Sequence, residues 1–251
     1  MTYRKRVIPI LLMFEQRIVK TIQFCEMNYV GDPLNTIKVF SEMQSDELIL
    51  LDIGNKASLT KRDLDYLESV VKYADMPITY GGGISSKETA SQVFSMGVEK
   101  ISFNRALYEL PMLVTELSNI YGAQAINAAV NIKTENGKIF NYNYRNRQEK
   151  PILSIEKEMS EMLALGAGEI LWTSVSNEGT WRGFPKDLAR TIASVATSPH
   201  IIQGGIQSAS EIEDLFNLGI NAIGCSSFFI YKERSQGVNL SYLSCKSFRS
   251  N

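Results

Sequence analysis

Two short stretches, Tyr80-Gly81-Gly82-Gly83-Ile84 and Gln203-Gly204-Gly205-Ile206, carry the same Gly-Gly-Ile at positions 82 and 204, an offset of 122 residues. The same offset places Glu47 on Glu169, Pro77 on Pro199, Ser86 on Ser208, Phe94 on Phe216 and Gly97 on Gly219. A period this long exceeds the roughly 20 to 50 residues of solenoid repeats, so it reads as half of one closed, pseudo-two-fold domain. Eight aliphatic or β-branched runs alternate with longer amphipathic segments, the pattern of parallel strands joined by crossover helices. The runs are Arg6 to Leu12, Leu48 to Ile53, Ile78 to Tyr80, Lys100 to Phe103, Ala125 to Ile132, Glu169 to Ser174, His200 to Gln203 and Ala222 to Cys225. The expected fold is a single (β/α)8 TIM barrel over 1–251, with half-barrels of about 1–122 and 123–251.

The 251-residue length fits one such barrel, which needs about 250 residues. With 26 basic and 27 acidic side chains the net charge is -1, so no electrostatic case exists for nucleic acid or an anionic membrane as partner. The N-terminal MTYRKRVIPILLMF lacks a small-residue cleavage site, and no stretch reaches the roughly 18 apolar residues that span a bilayer. A cytoplasmic protein is expected. Cys25, Cys225 and Cys245 are odd in number and widely spaced, which indicates neither a disulfide framework nor a metal site; they read as reduced thiols. No cofactor is indicated.

Each glycine stretch follows a strand and precedes a helix. Glycine lets the backbone approach a ligand, and amides at a helix start favour an anion. One unit further on stand Ser102-Phe103-Asn104-Arg105 and Gly224-Cys225-Ser226-Ser227. The expected phosphate sites are therefore Gly82, Gly83, Asn104 and Arg105 in one half, and Gly204, Gly205, Ser226 and Ser227 in the other. Two related sites imply a phosphorylated small molecule with two anionic ends, or one site retained from such an ancestor. The stretches Thr21 to Gly31 and Lys133 to Lys150 follow the first and fifth strands and read as irregular, the second with a Glu-Asn-Gly turn suited to a hairpin. On the C-terminal face they suggest a lid, or else plain decoration. The last segment, Lys232 to Asn251, is too short and polar for a full eighth helix.

Further motifs complete the picture: KRVIP at Lys5 to Pro9, IVK at Ile18 to Lys20, GDP at Gly31 to Pro33, DEL at Asp46 to Leu48, LDI at Leu51 to Ile53, GVEKISFN ending at Asn104, GAGEIL at Gly166 to Leu171 and EGT at Glu178 to Thr180. Together they resemble the cyclase subunit of imidazole glycerol phosphate synthase over nearly the whole chain. In that family, from histidine biosynthesis, a glutaminase subunit docks at the bottom of the barrel and liberates ammonia. The ammonia crosses the barrel and attacks a bisphosphorylated intermediate at the top.

The resemblance implies two acids, at the ends of the first and fifth strands, but those positions hold Leu12 and Asn131. Neither side chain exchanges a proton as a carboxylate does, so the ring-closing reaction is expected to be lost or severely impaired. Ser176 stands where a further acid is common, with Glu178 nearby as a possible substitute. The family's ammonia gate, an Arg, a Lys and two Glu, is matched in full by Arg6, Lys100, Glu47 and Glu169. Such a ring is either a gate or a salt-bridge plug that closes the barrel bottom.

Retained delivery beside an apolar residue at the first acid position, Leu12, and the opening VIPILLM resemble the branch of the family associated with acetamidino modification of bacterial surface-polysaccharide sugars, which works with a glutaminase and a sugar amidotransferase; members of that branch often keep the fifth-strand acid, so Asn131 is a further departure. The expected function is thus an ammonia-channelling subunit of a glutamine-dependent amidotransferase complex, with the glutaminase docked at the N-terminal face beside Glu99 and Lys100. The alternatives are the cyclase (lyase) of histidine biosynthesis and a non-catalytic scaffold. His200 reads as packed, Trp172 as core, Trp181 as a ligand or partner contact, Lys20 as a family lysine otherwise on the surface, and Phe140 to Asn146 as a polar face for a sugar or partner.

Overall fold

Residues 4–54, 56–232 and 237–248 are described in a computed structural model of the chain. In chain order it runs β1 (Arg6–Phe14), β2 (Arg17–Ile22), β3 (Glu26–Gly31), α1 (Pro33–Glu42), β4 (Leu48–Asp52), α2 (Lys61–Val71), β5 (Ile78–Gly81), α3 (Lys87–Ser95), β6 (Lys100–Phe103), α4 (Arg105–Glu109) and α5 (Pro111–Tyr121). The second half runs β7 (Ile126–Glu135), β8 (Lys138–Asn143), β9 (Gln148–Pro151), α6 (Ile155–Ala164), β10 (Glu169–Ser174), α7 (Lys186–Val195), β11 (His200–Gln203), α8 (Ala209–Asn217), β12 (Ala222–Cys225) and α9 (Ser227–Ile230).

Strands β1, β4, β5, β6, β7, β10, β11 and β12 pair in parallel in that order, and β12 returns to β1, which closes a (β/α)8 barrel. The expected fold holds, and the strand limits differ from the sequence reading by a few residues at most. Local chemistry sets the helix starts. Asp32, Ser86, Ser154 and Ser208 each cap a helix by accepting from the backbone N–H three residues on, and Thr60 with Asp63 forms a full capping box.

Strand alternation sorts the core into two layers. Ile8, Ile10, Ile49, Leu51, Ala129, Leu171, Ile201 and Ala222 fill the barrel interior, while the larger cluster, including Trp172, Ile202 and Phe40, lies between strands and helices. The 122-residue repeat is visible in the backbone itself. Gly82 and Gly204 have φ of 120° and 119°, and a Cβ would meet the Asp52 carbonyl oxygen at 2.3 Å in one and the Ser174 carbonyl oxygen at 2.5 Å in the other. Residues 52 and 174 are themselves 122 apart. Only glycine fits either place.

The two stretches read as irregular are ordered meanders. β1 continues into an antiparallel β1–β2–β3 ribbon and β7 into β7–β8–β9, both rising above the C-terminal face. Asn136 and Gly137, at φ of 49° and 72°, make the hairpin turn between β7 and β8. α9 precedes the last segment, in which a short 3-10 turn forms at Cys245–Phe248 and Tyr242 Oη donates to the Val7 carbonyl at 3.2 Å; residues 233–236 and 249–251 lie outside the described residues. α4 was not anticipated. Among the described residues no helix is long and apolar enough to cross a membrane.

His200 is buried against the outside of the barrel, its Nδ1 3.1 Å from the Ser198 carbonyl oxygen and its Nε2 without a partner. Burial pushes its pKa below 6.5. The unfolded chain therefore takes up this proton first, and stability falls as pH drops through 6.5, by at most about 1.4 kcal/mol per pH unit. Denaturant unfolding between pH 8 and 5 should show this slope, and His200→Leu should flatten it.

Candidate functional site

At the N-terminal end of the barrel four charges meet on the axis. Arg6, at the first position of β1, donates to Glu47 Oε1 at 2.7 Å and to Glu169 Oε1. Lys100, at the first position of β6, donates to Glu169 Oε2 at 3.0 Å and stands 3.8 Å from Glu47 Oε2. The four form a closed ring of alternating sign. Their side chains are only 5% to 16% exposed, so each charge is largely desolvated and needs its two neighbours. For Glu169, burial would raise the carboxyl pKa, but Arg6 and Lys100 together outweigh it and hold it below 4.5. Arg6 is pushed above its usual value despite burial, by the same two carboxylates.

Directly above the ring lies a small polar layer inside the barrel. Ser102 Oγ donates to Asn127 Oδ1 at 2.8 Å, and Asn127 Nδ2, fully buried, has no protein partner. Higher up, Gln203 Nε2 donates to Thr173 Oγ1 at 2.7 Å. Leu12 and Asn131 face the interior on the C-terminal ends of β1 and β7, both buried at the floor of a cleft.

That cleft opens on the C-terminal face and gathers both glycine stretches, Asn104, Arg105, Ser226 and Ser227. All eight residues expected at phosphate sites are thus brought to one cavity. Asn104 differs from expectation in one respect: its side-chain amide donates to the Ala129 carbonyl at 2.7 Å, which leaves its backbone to face the cleft. Ser226 Oγ is buried and has no protein partner.

Three charged groups stand on the cleft, of which the sequence reading singles out one. Asp52, at the end of β4, accepts from Lys56 Nζ at 2.8 Å and from Gly54 N at 2.9 Å, and Lys56 also reaches Asp63 at 2.6 Å. Burial opposes the Lys56 charge, but the two carboxylates more than offset it and raise its pKa. Asp52, the middle residue of the LDI run, stands at the C-terminal end of a barrel strand, where catalytic side chains sit, and that position was the available signal. The third is Lys20, which the sequence reading gives as a family lysine or else a surface charge. It is buried on β2 and in contact with Glu178, because the β1–β2–β3 ribbon folds down over the cleft. Burial pushes the Lys20 ammonium down to about 7, so its charge depends on that carboxylate. Glu178 also accepts from Thr21 Oγ1 at 3.0 Å and from Phe24 N at 3.3 Å, so it anchors the ribbon's tip to the loop after β10. Trp181 lines the cleft at φ 57° and meets Phe228 edge-on, whereas Tyr144 reaches in from the second ribbon.

A closed parallel barrel with its cleft on the C-terminal face and a charge cluster on the opposite end defines the (β/α)8-barrel class. The model of the family described as histidine biosynthesis protein matches residues 6–235, and the chain belongs to that family. It is similar to the putative imidazole glycerol phosphate synthase subunit HisF of Leptospira borgpetersenii, 33% identical over 241 residues that cover 95% of each chain. It is also similar to the putative subunit hisF2 of Pseudomonas aeruginosa, 34% identical over 95% of this chain and 96% of that one. The imidazole glycerol phosphate synthase subunit HisF of Geobacillus thermodenitrificans is 34% identical with the same coverage.

Glu169 holds both cations of the ring and is its least exposed member. Glu169→Gln should lower stability by about 3 kcal/mol, roughly 6–12 °C in Tm, and Glu47→Gln by about half as much, as read by calorimetry at neutral pH.

Proposed function

We propose that this chain is the ammonia-delivering barrel of a glutamine-dependent amidotransferase complex, a single domain of two half-barrels whose acceptor is a sugar of a bacterial surface glycan. The observation that carries the reading is the contrast between the two ends of the barrel. The four-charge ring is complete, while the strand ends where the family's acids belong present Leu12 and Asn131. With neither side chain able to relay a proton as a carboxylate would, ring closure has no acid–base pair there.

Ammonia released below the barrel must pass the ring in its neutral form, because an ammonium ion would compete with Arg6 and Lys100 for the same carboxylates. The loosest edge is Lys100 to Glu47, at 3.8 Å, so the ring opens most readily by a swing of Lys100. Beyond it, the partnerless Asn127 Nδ2 and the Ser102 hydroxyl offer a small polar molecule hydrogen bonds inside an otherwise apolar interior.

The docking partner is a glutaminase on the N-terminal face. Helix C-termini share that face with strand N-termini, and on the first half they leave large apolar groups exposed: Met43 after α1, Tyr73 after α2 and Ile120 in the last turn of α5. These lie at the same end of the barrel as the ring and suit a partner's apolar surface. A sugar amidotransferase is the expected consumer at the top.

A second reading, drawn from relatives named as imidazole glycerol phosphate synthase subunits, is the cyclase subunit of histidine biosynthesis, with Lys20 and Glu178 in place of the missing acids. Glutaminase activity of the partner, with and without this chain, alongside a cyclase assay supplied with free ammonium, separates the two. Stimulation without cyclase turnover is expected; turnover on the histidine intermediate would overturn the proposal. Lys100→Met should leave the fold intact and reduce the fraction of glutamine-derived ammonia that reaches the acceptor at least several-fold, and unchanged coupling would remove the gate. Tyr73→Asp should weaken the complex at least tenfold in Kd by titration calorimetry without altering ligand binding at the cleft.

A further inference from the structure

The two halves place the same backbone around the cleft but different charges on it. Asn104 and Ser226, 122 positions apart, have φ/ψ of -116°/-72° and -114°/-81°, and the glycine pairs match likewise. The residues that follow diverge: Arg105 in the first half, Ser227 in the second. At the same offset the loop after β4 bears Lys56 and the loop after β10 bears Glu178, while Asp52 is answered by Ser174.

The cations on the cleft are not equally available. Lys20 is engaged by Glu178, and Lys56 is held between Asp52 and Asp63. Arg105 gives Nη2 to the Ala57 carbonyl at 2.9 Å and faces the half-exposed Glu109 through Nε at 3.4 Å. A guanidinium carries five donors, so the rest are left for a ligand at the Gly82–Gly83 end. At the other end the cation lining the cleft among the described residues is Lys20, and Glu178 in the loop after β10 already neutralises it. Arg182, beside Trp181, is exposed and does not line the cleft. That end offers the buried, partnerless Ser226 hydroxyl, Ser227 and the Trp181 indole, a neutral set suited to hydroxyl groups and to the C–H face of a sugar ring.

We infer that the cleft takes a ligand with one dianionic phosphate end, seated at Gly82, Gly83 and Arg105, and a neutral glycosyl end against Trp181, Ser226 and Ser227. The inference deepens the proposed function and rests on it for the cleft being the acceptor side of the barrel. The chain has kept the backbone for two phosphates but the charge for one.

Calorimetric titration of the isolated chain with fructose 6-phosphate and with fructose 1,6-bisphosphate tests this, with inorganic phosphate as the minimal probe. One phosphate should bind per chain, and the second phosphate of the bisphosphate should improve affinity less than threefold. Arg105→Ala should weaken all three probes at least tenfold, and Ser227→Ala should change none of them more than twofold. Two equivalents of phosphate, no phosphate binding, a bisphosphate tenfold tighter than the monophosphate, or equal losses in the two variants would each overturn the inference. No glutaminase is present in these titrations, so their failure leaves the delivery role standing, and a failure of glutaminase stimulation leaves them standing.

Discussion

Four charges withdrawn from water on the axis of a barrel can persist only as a closed circuit, because any one left without a partner carries a desolvation cost of several kcal/mol. Arg6, Glu47, Lys100 and Glu169 come from four different strands or strand entries, so their circuit is also a constraint on how β1, β4, β6 and β10 stand relative to one another. A slip of one residue in any of these strands would turn the charge outward and the aliphatic layer above it with it. The ring, the interior cluster over it and the cleft at the top are successive levels of one register. The top is held by a related device: Lys20 and Glu178 tie the β1–β2–β3 ribbon to the loop after β10. Opposite charges thus close the bottom of the axis and pin one side of the cleft at its top.

This arrangement accounts for a division between the two ends. Where charges are matched by one another, as in the ring, the protein needs no ligand to complete them. Around the cleft the accounts remain open: Ser226 Oγ lacks a partner and Arg105 retains donors, and there the structure waits on something from outside.

Much of this was legible in the sequence because the informative features are local or periodic. The Gly-Gly-Ile repeat marked backbone that only glycine permits, although the close approach that demands glycine at Gly82 and Gly204 is to the Asp52 and Ser174 carbonyls rather than to a ligand. The helix starts were signalled by Ser and Thr caps, and the strands by aliphatic runs. What escaped was settled by contacts distant in the chain. Lys20 looks like a surface lysine until β2 is folded over the cleft and a carboxylate 158 positions later meets it. The ribbons read as irregular because their strands mix polar and apolar residues on a two-sided surface, so alternation is weak; only the Asn136-Gly137 turn announced itself. Asn104 was legible as a site position but not in the direction of its amide, which the Ala129 carbonyl fixes.

The chain has two tryptophans, and the fold has placed them in opposite surroundings. Trp172 is sealed between strand and helices with no exposed surface, and Trp181 stands in the cleft wall beside Phe228. The first emits as a deeply buried indole until the barrel itself comes apart; the second changes whenever the cleft fills. The unlabelled protein therefore carries an internal optical standard and an optical sensor in one molecule, and occupancy of the cleft can be followed separately from the integrity of the fold.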